Sequence, residues 1–220
     1  MTSRSTKRPK SRSDVRLFIT GFGPFPSVPS NPTQQVVEAL RQAYIYDLNL
    51  NFAVIDVCYE RVAQQIDEIT SATIDTLVML GVAKTADTIR VERCARNHAS
   101  HPKVDINGLS KSGPVCDTDA VGKVRNTSAP VAELVAALNE AGLRATASQD
   151  AGDYLCNYAY YYALREAARR PLPTTVLFVH LPPIGARPEG LDNECWSLKR
   201  LTLALEVLIE RLGRRTIART

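Results

Sequence analysis

The sequence predicts an α/β fold, a three-layer α/β/α sandwich around a mainly parallel, mixed central sheet. Short, branched-rich and nearly continuous apolar runs recur along the chain, as they do in strands buried on both faces. Helical apolar patterns fall between them, and that alternation is how a sheet covered by helices reads. At 220 residues and 45% apolar content the chain is long enough for one sizeable core. No repeat or linker interrupts it, so residues 15–220 read as a single domain behind a tail over 1–14.

The elements follow in order. "RLFITGF" (16–22) is the first strand, and Pro32 before Thr33–Ala43 suits the start of a helix. A strand "NFAVIDVC" (51–58), a helix Arg61–Ile69 and a strand "TIDTLVMLG" (73–81) come next. "TIRVERCA" (88–95) alternates, with Ile89, Val91 and Ala95 opposite Arg90, Glu92 and Cys94, and so reads as a half-exposed strand. The stretch 98–129 is poor in apolar residues and rich in Gly, Pro, Asp and Asn; a loop that long in a compact domain points to function. A helix Pro130–Ala141, a weaker strand "LRATASQD" (143–150) and a helix Tyr154–Arg169 follow. "TTVLFVH" (174–180) is a strand stopped by "LPP", and Glu194–Leu212 closes the chain as a helix.

Charge narrows the function classes. The net charge is +4, and the tail "MTSRSTKRPKSRSD" alone carries five basic residues against Asp14. That surplus of four accounts for all of it, so the body is neutral, which argues against a nucleic-acid-binding domain. The tail has the composition of a disordered, solubilising segment, with a functional basic arm as the alternative. It lacks the apolar centre of a secretory signal, and no stretch is long and apolar enough to span a membrane. Five widely spaced cysteines (58, 94, 116, 156 and 195) without a C-x-x-C pair fit neither a disulfide framework nor a zinc site. A reducing cytoplasm is the expected home.

In open α/β sheets ligands gather beyond the carboxyl ends of strands. Three segments end there in suggestive residues: "TGFGPFPSVPSNPT" (20–33), with two exposed-looking phenylalanines, Phe22 and Phe25; His180; and "AGDYLCNY", which delivers Cys156 near a helix start. A thiol at a helix N-terminus has its thiolate favoured by the dipole, a histidine can take its proton, and a carboxylate can fix the imidazole tautomer. The same residues have plainer readings. Cys156 shares an apolar stripe with Ala159, Tyr160, Ala163 and Ala167, as a core filler does. His180 suits a structural hydrogen bond, and Glu92 beside Arg90 and Arg93 suits a solvated ion pair. "HASH" (98–101) has H-x-x-H spacing but no acidic or cysteine partner for a metal.

Taken together, "TGFGPFPSVPSNPT", "G…TIRVERCARN" (81–97), "SQDAGDYLCNYAYYY" and "FVHLPP" resemble the pyrrolidone-carboxylate peptidases, also called pyroglutamyl peptidases of type I, over roughly 17–210. The resemblance implies a cysteine exopeptidase that releases an N-terminal pyroglutamyl residue through a thioester, without metal or cofactor. It implies Cys156 as nucleophile, His180 as general base and acid, and Glu92 as the acid that orients the imidazole. Phe22 and Phe25 fall on aromatic residues that sandwich the lactam ring, and Asn31 on the asparagine that helps hold it. A pyroglutamyl peptide is the implied partner, with neither nucleic acid nor membrane, and the family includes monomers and tetramers.

The chain also departs from that pattern. "GVAKTADTIRVE" lacks the second glycine or proline that usually follows the first, and Arg90 stands where the family has Ser or Thr. Ten residues after Glu92 the family has an arginine that assists the oxyanion; here the position is Pro102, between His101 and Lys103. Loss of one such donor typically lowers turnover by about 10²–10³ unless another replaces it. Two alternatives follow: a relative turned to another small cyclic or acylated amide, or a non-catalytic binder of pyroglutamyl ligands or a protein partner.

Overall fold

The computed structural model describes residues 15–218, apart from 26, 27, 46, 48, 101, 172, 173 and 189–194, and gives backbone alone for 215–218. The tail over 1–14, His101 and Glu194 lie outside the described residues, with the expectations attached to them.

A six-stranded sheet in the order β2-β1-β3-β10-β4-β9 organises the chain. Its strands are β1 (Leu17–Phe22), β2 (Leu50–Ile55), β3 (Thr76–Val82), β4 (Ile89–Glu92), β9 (Ala145–Ser148) and β10 (Thr175–Leu181). Neighbours pair in parallel except β10 with β4, so β4 and β9 run against the other four. The helices are α1 (Pro32–Ala43), α2 (Tyr59–Ser71), α3 (Val131–Glu140), α4 (Leu155–Ala168) and α5 (Leu198–Ala218). The predicted α/β class and mainly parallel sheet are present.

Side-chain parity assigns the layers. Leu17, Ile19, Val78, Leu80, Val91, Leu177 and Val179 point to one face, where they pack with α1, α3 and α5. Phe22, Leu77, Met79, Val176 and Phe178 point to the other, against α2 and α4. The central strands are therefore apolar on both faces, which is why they read as continuous apolar runs.

Two expectations fail here. "TIRVERCA" is not one half-exposed strand: it divides at Arg93 into β4 and β5 (Cys94–Arg96), and Ile89, Val91, Glu92, Cys94 and Ala95 are all buried. The tract 98–129 is not a bare loop either. β5 pairs with β8 (Val124–Asn126), and β6 (Ala99–Ser100) with β7 (Ser112–Gly113). Buried Asn97 holds the tract together; its Nδ2 lies 2.9–3.1 Å from the carbonyls of Cys116, Asp119 and Ala120, and its Oδ1 accepts from the Cys116 N–H at 2.8 Å.

Candidate active site

Chain direction decides where the chemistry gathers. β1, β3 and β10 point their carboxyl ends the same way, and β4 begins at that end because it runs antiparallel to β10. β9 runs with β4, so its carboxyl end does not deliver Cys156 directly, as the simple topological rule predicts. Segment 149–154 instead carries the chain to the start of α4. Gly152 turns there with φ of 78°, a left-handed conformation that favours glycine, and its N–H donates to Asp150 Oδ1 at 3.0 Å. Cys156 is the second residue of α4, and no side chain caps that helix start. Amides in a first helical turn have no intrahelical acceptor and are available to an anion.

His180 lies in β10 and Glu92 in β4, both on the α2/α4 face. The Glu92 carboxylate accepts a hydrogen bond from His180 Nδ1, with Oε1 at 2.8 Å, and is fully buried. That bond occupies Nδ1, and the Cys156 thiol lies near enough to His180 to act on the imidazole. Burial disfavours the imidazolium, but the hydrogen bonds and charges of Cys156 and Glu92 outweigh it and push the His180 pKa up to about 9. Cys156, His180 and Glu92 thus lie side by side, with the His180–Glu92 bond buried and the half-buried sulfur on the solvent side.

Two neighbours fix this line in place. Gly81 pairs with His180 across β3 and β10, and a Cβ there would sit 2.8 Å from both Cys156 Sγ and the Phe178 ring. The missing side chain is thus the space the thiol occupies. Tyr160, fully buried in α4, donates its hydroxyl to the Glu92 carbonyl at 3.1 Å and so ties the helix carrying Cys156 to the strand carrying Glu92.

The sulfur opens onto a cavity of about 340 Å³. Phe22, Phe25, Asn31, Val57, Ala151 and Leu155 line it, together with Lys84, Arg90 and Lys103. Phe22 is 4% exposed, so it is a buried wall and not the exposed ring its glycine-rich setting suggests. Asn31 has a structural duty as the cap of α1: its Oδ1 accepts from the Thr33 N–H at 3.1 Å and from the Thr33 hydroxyl at 2.9 Å, and its Nδ2 donates to the Gly23 carbonyl at 3.0 Å. One Nδ2 hydrogen remains beyond those three bonds.

Tyr154 completes the wall and was not singled out by its sequence context. Its ring packs between Phe25 and Tyr59, with centroids 6.4 and 5.9 Å away, and its hydroxyl donates to the Val104 carbonyl at 2.9 Å. Burial pushes that hydroxyl pKa up to about 12, so it stays a donor. This bond, and Asp105 Oδ2 accepting the Tyr59 N–H at 2.9 Å, anchor the segment that brings Lys103 to the cavity. Among the described residues no group of three His, Cys, Asp or Glu side chains is arranged to hold a metal ion.

The sequence profile of the pyroglutamyl peptidases matches residues 15–211. The chain belongs to the pyroglutamyl peptidase family. Among its relatives in that family, the pyrrolidone-carboxylate peptidase of Oceanobacillus iheyensis is 30% identical over 197 residues, covering 88% of this chain and 97% of the relative. That of Clavibacter michiganensis is 28% identical over 201 residues, covering 88% and 90%. The crystal structure of the Fervidobacterium islandicum pyrrolidone carboxyl peptidase superposes with a TM-score of 0.79 at 26% identity, covering 91% of this chain and 99% of that one. As a family member the chain is a hydrolase of the peptidase class. The six residues to which the resemblance points, Glu92, Cys156, His180, Phe22, Phe25 and Asn31, converge on one end of the sheet. Pro102 is exposed, while its neighbour Lys103 reaches the cavity.

Proposed function

We propose that this chain hydrolyses the amide bond after an N-terminal pyroglutamyl residue, with Cys156 as the nucleophile. The observation that carries the reading is that Cys156 and His180 line one cavity with aromatic walls, with His180 hydrogen-bonded to buried Glu92 behind it. A pyroglutamyl cap has no free amine, and a flat neutral lactam gains burial and stacking between Phe22 and Phe25 without needing a countercharge.

The chemistry follows from the hydrogen bonds. Cys156 Sγ transfers its proton to His180 Nε2, and Glu92 holds the imidazolium at Nδ1. The thiolate attacks the pyroglutamyl carbonyl carbon, and the first-turn amides of α4 bind the oxygen as it becomes negative. His180 Nε2 returns its proton to the leaving amine as the C–N bond breaks, which leaves a thioester. Water, losing a proton to the same nitrogen, adds to the thioester; collapse expels the Cys156 thiolate and releases pyroglutamate. All five cysteines are unpaired, which suits a reducing compartment such as the cytoplasm.

Release of a fluorophore from pyroglutamyl and prolyl amides, by wild type and by Cys156→Ala, tests this reading. Hydrolysis of the pyroglutamyl amide alone, lost in the variant, is expected. Retention of most of the turnover in a folded Cys156→Ala protein overturns it.

A further inference from the structure

The cavity divides by depth. Phe22 and Asn31, at 4% and 2% exposure, lie in its buried part, whereas Lys84 and Lys103 are exposed at its mouth. The pyroglutamyl residue is the end of its peptide, so every atom beyond the scissile amide leaves past that mouth. A neutral lactam carries no charge for cations to pair with, yet three line this cavity.

They come from different segments. Lys84 sits in the β3–β4 turn, with Nζ 5.3 Å from the centroid of the Phe25 ring. Lys103 is held in place through Val104 and Asp105, as described above, and lies near enough that its charge, after burial, helps lower the Lys84 pKa. Arg90 stands opposite His180 in the β4–β10 register and, two residues from Glu92, points to the same face. Asp150 and Asp153 also line the cavity, from the turn before α4. Asp150 accepts the Gly152 N–H, and Asp153 lies near enough to Tyr59 to help raise its hydroxyl pKa.

From this arrangement, and resting on the pyroglutamyl reading above, we propose that Lys84, Lys103 and Arg90 form a subsite for a carboxylate on the leaving-group side of the scissile bond. The favoured substrates are pyroglutamyl peptides whose next residue is Asp or Glu, or pyroglutamyl dipeptides with a free α-carboxylate.

Four peptides test it: pyroglutamyl-alanine amide, pyroglutamyl-glutamate amide, pyroglutamyl-lysine amide and pyroglutamyl-alanine with a free carboxylate. The glutamate peptide is expected to exceed the lysine peptide in kcat/KM by about tenfold at low salt, mostly through KM, as two or three partly exposed charge contacts allow. The free-acid alanine peptide, set against its amide, tells whether the α-carboxylate or the side chain is the anion recognised. In the K84Q/K103Q double variant, and at high salt, the glutamate-to-lysine ratio falls towards one. Because the readout is a ratio, a uniform loss of turnover in the variant does not disturb it. Equal kcat/KM for all four peptides, or a preference for either carboxylate that is unmoved in the double variant, overturns the subsite and leaves the pyroglutamyl reading standing. Hydrolysis of none of the four by folded protein overturns that reading and the subsite with it.

Discussion

The two faces of the sheet are built from different materials. Against α1, α3 and α5 the fully packed residues are Val, Leu, Ile and Ala with one tryptophan, Trp196. Against α2 and α4 the core contains Phe22, Tyr59, Tyr158, Tyr160, Tyr161 and Phe178, and each residue of the Cys156–His180–Glu92 line lies on this side. An aliphatic face gains its stability from burial alone and tolerates small shifts. An aromatic face adds polar tips that hold backbone in place. Tyr160 holds the Glu92 carbonyl, Tyr154 the Val104 carbonyl, and the Tyr161 hydroxyl donates to Asp119 at 2.6 Å. One face serves stability, and the other positions charge and nucleophile on a stable sheet.

Substitutions that separate rate from stability break or sharpen this contrast. His180→Gln, which keeps a donor for buried Glu92, is expected to lower kcat/KM by about 10³-fold or more with far-ultraviolet circular dichroism unchanged, because no group then takes the Cys156 proton. Glu92→Gln is expected to cost about 10²–10⁴-fold in kcat. It also moves the pH profile. In wild type the imidazolium, with its pKa raised to about 9, must protonate the leaving amine, so activity falls as pH rises through about 9. Removing the carboxylate charge lowers that pKa, and the alkaline limb shifts towards neutral pH. The same proton is linked to stability: its contribution is complete below pH of about 6.5 and is lost as pH rises through about 9.

Gly81→Ala places a methyl group where the Cys156 sulfur and the Phe178 ring already sit, 2.8 Å away. A displaced nucleophile predicts a loss of about 10²-fold in kcat, with thermal stability lowered by about 1–3 kcal/mol from overpacking. Leu205→Ala, fully buried in α5 on the aliphatic face, should reverse the balance. The expected cost is about 2–5 kcal/mol in denaturant unfolding, with kcat within about twofold of wild type. A large kcat effect from Leu205, or none from Gly81, removes the distinction between the faces.

The fold was legible because its central strands are buried on both sides and so announce themselves locally: "TLVML" and "TVLFV" need no partner to be read. The site was legible only in parts. Cys156 stood out by its place near a helix start, yet its apolar stripe with Ala159 and Tyr160 is real, because that stripe packs α4 on the sheet. Glu92 reads as a solvated charge because its neighbours in sequence are Arg90 and Arg93, whereas its partner His180 lies 88 residues away. Phe22 reads as exposed because the glycines and prolines around it describe the turn and not the wall behind it. Tyr154 carries no local signal, since its hydroxyl reaches the Val104 carbonyl, 50 residues away in sequence.

Covalent labelling with a pyroglutamyl chloromethyl ketone tests the central claim most directly. Its lactam is recognised as substrate, and its reactive carbon alkylates the residue that attacks. Peptide mapping by mass spectrometry after one equivalent is expected to find the label on Cys156, with activity lost in proportion and excess pyroglutamyl amide protecting. Label distributed over half-buried Cys116 and exposed Cys195, with Cys156 unmodified and activity retained, contradicts the account.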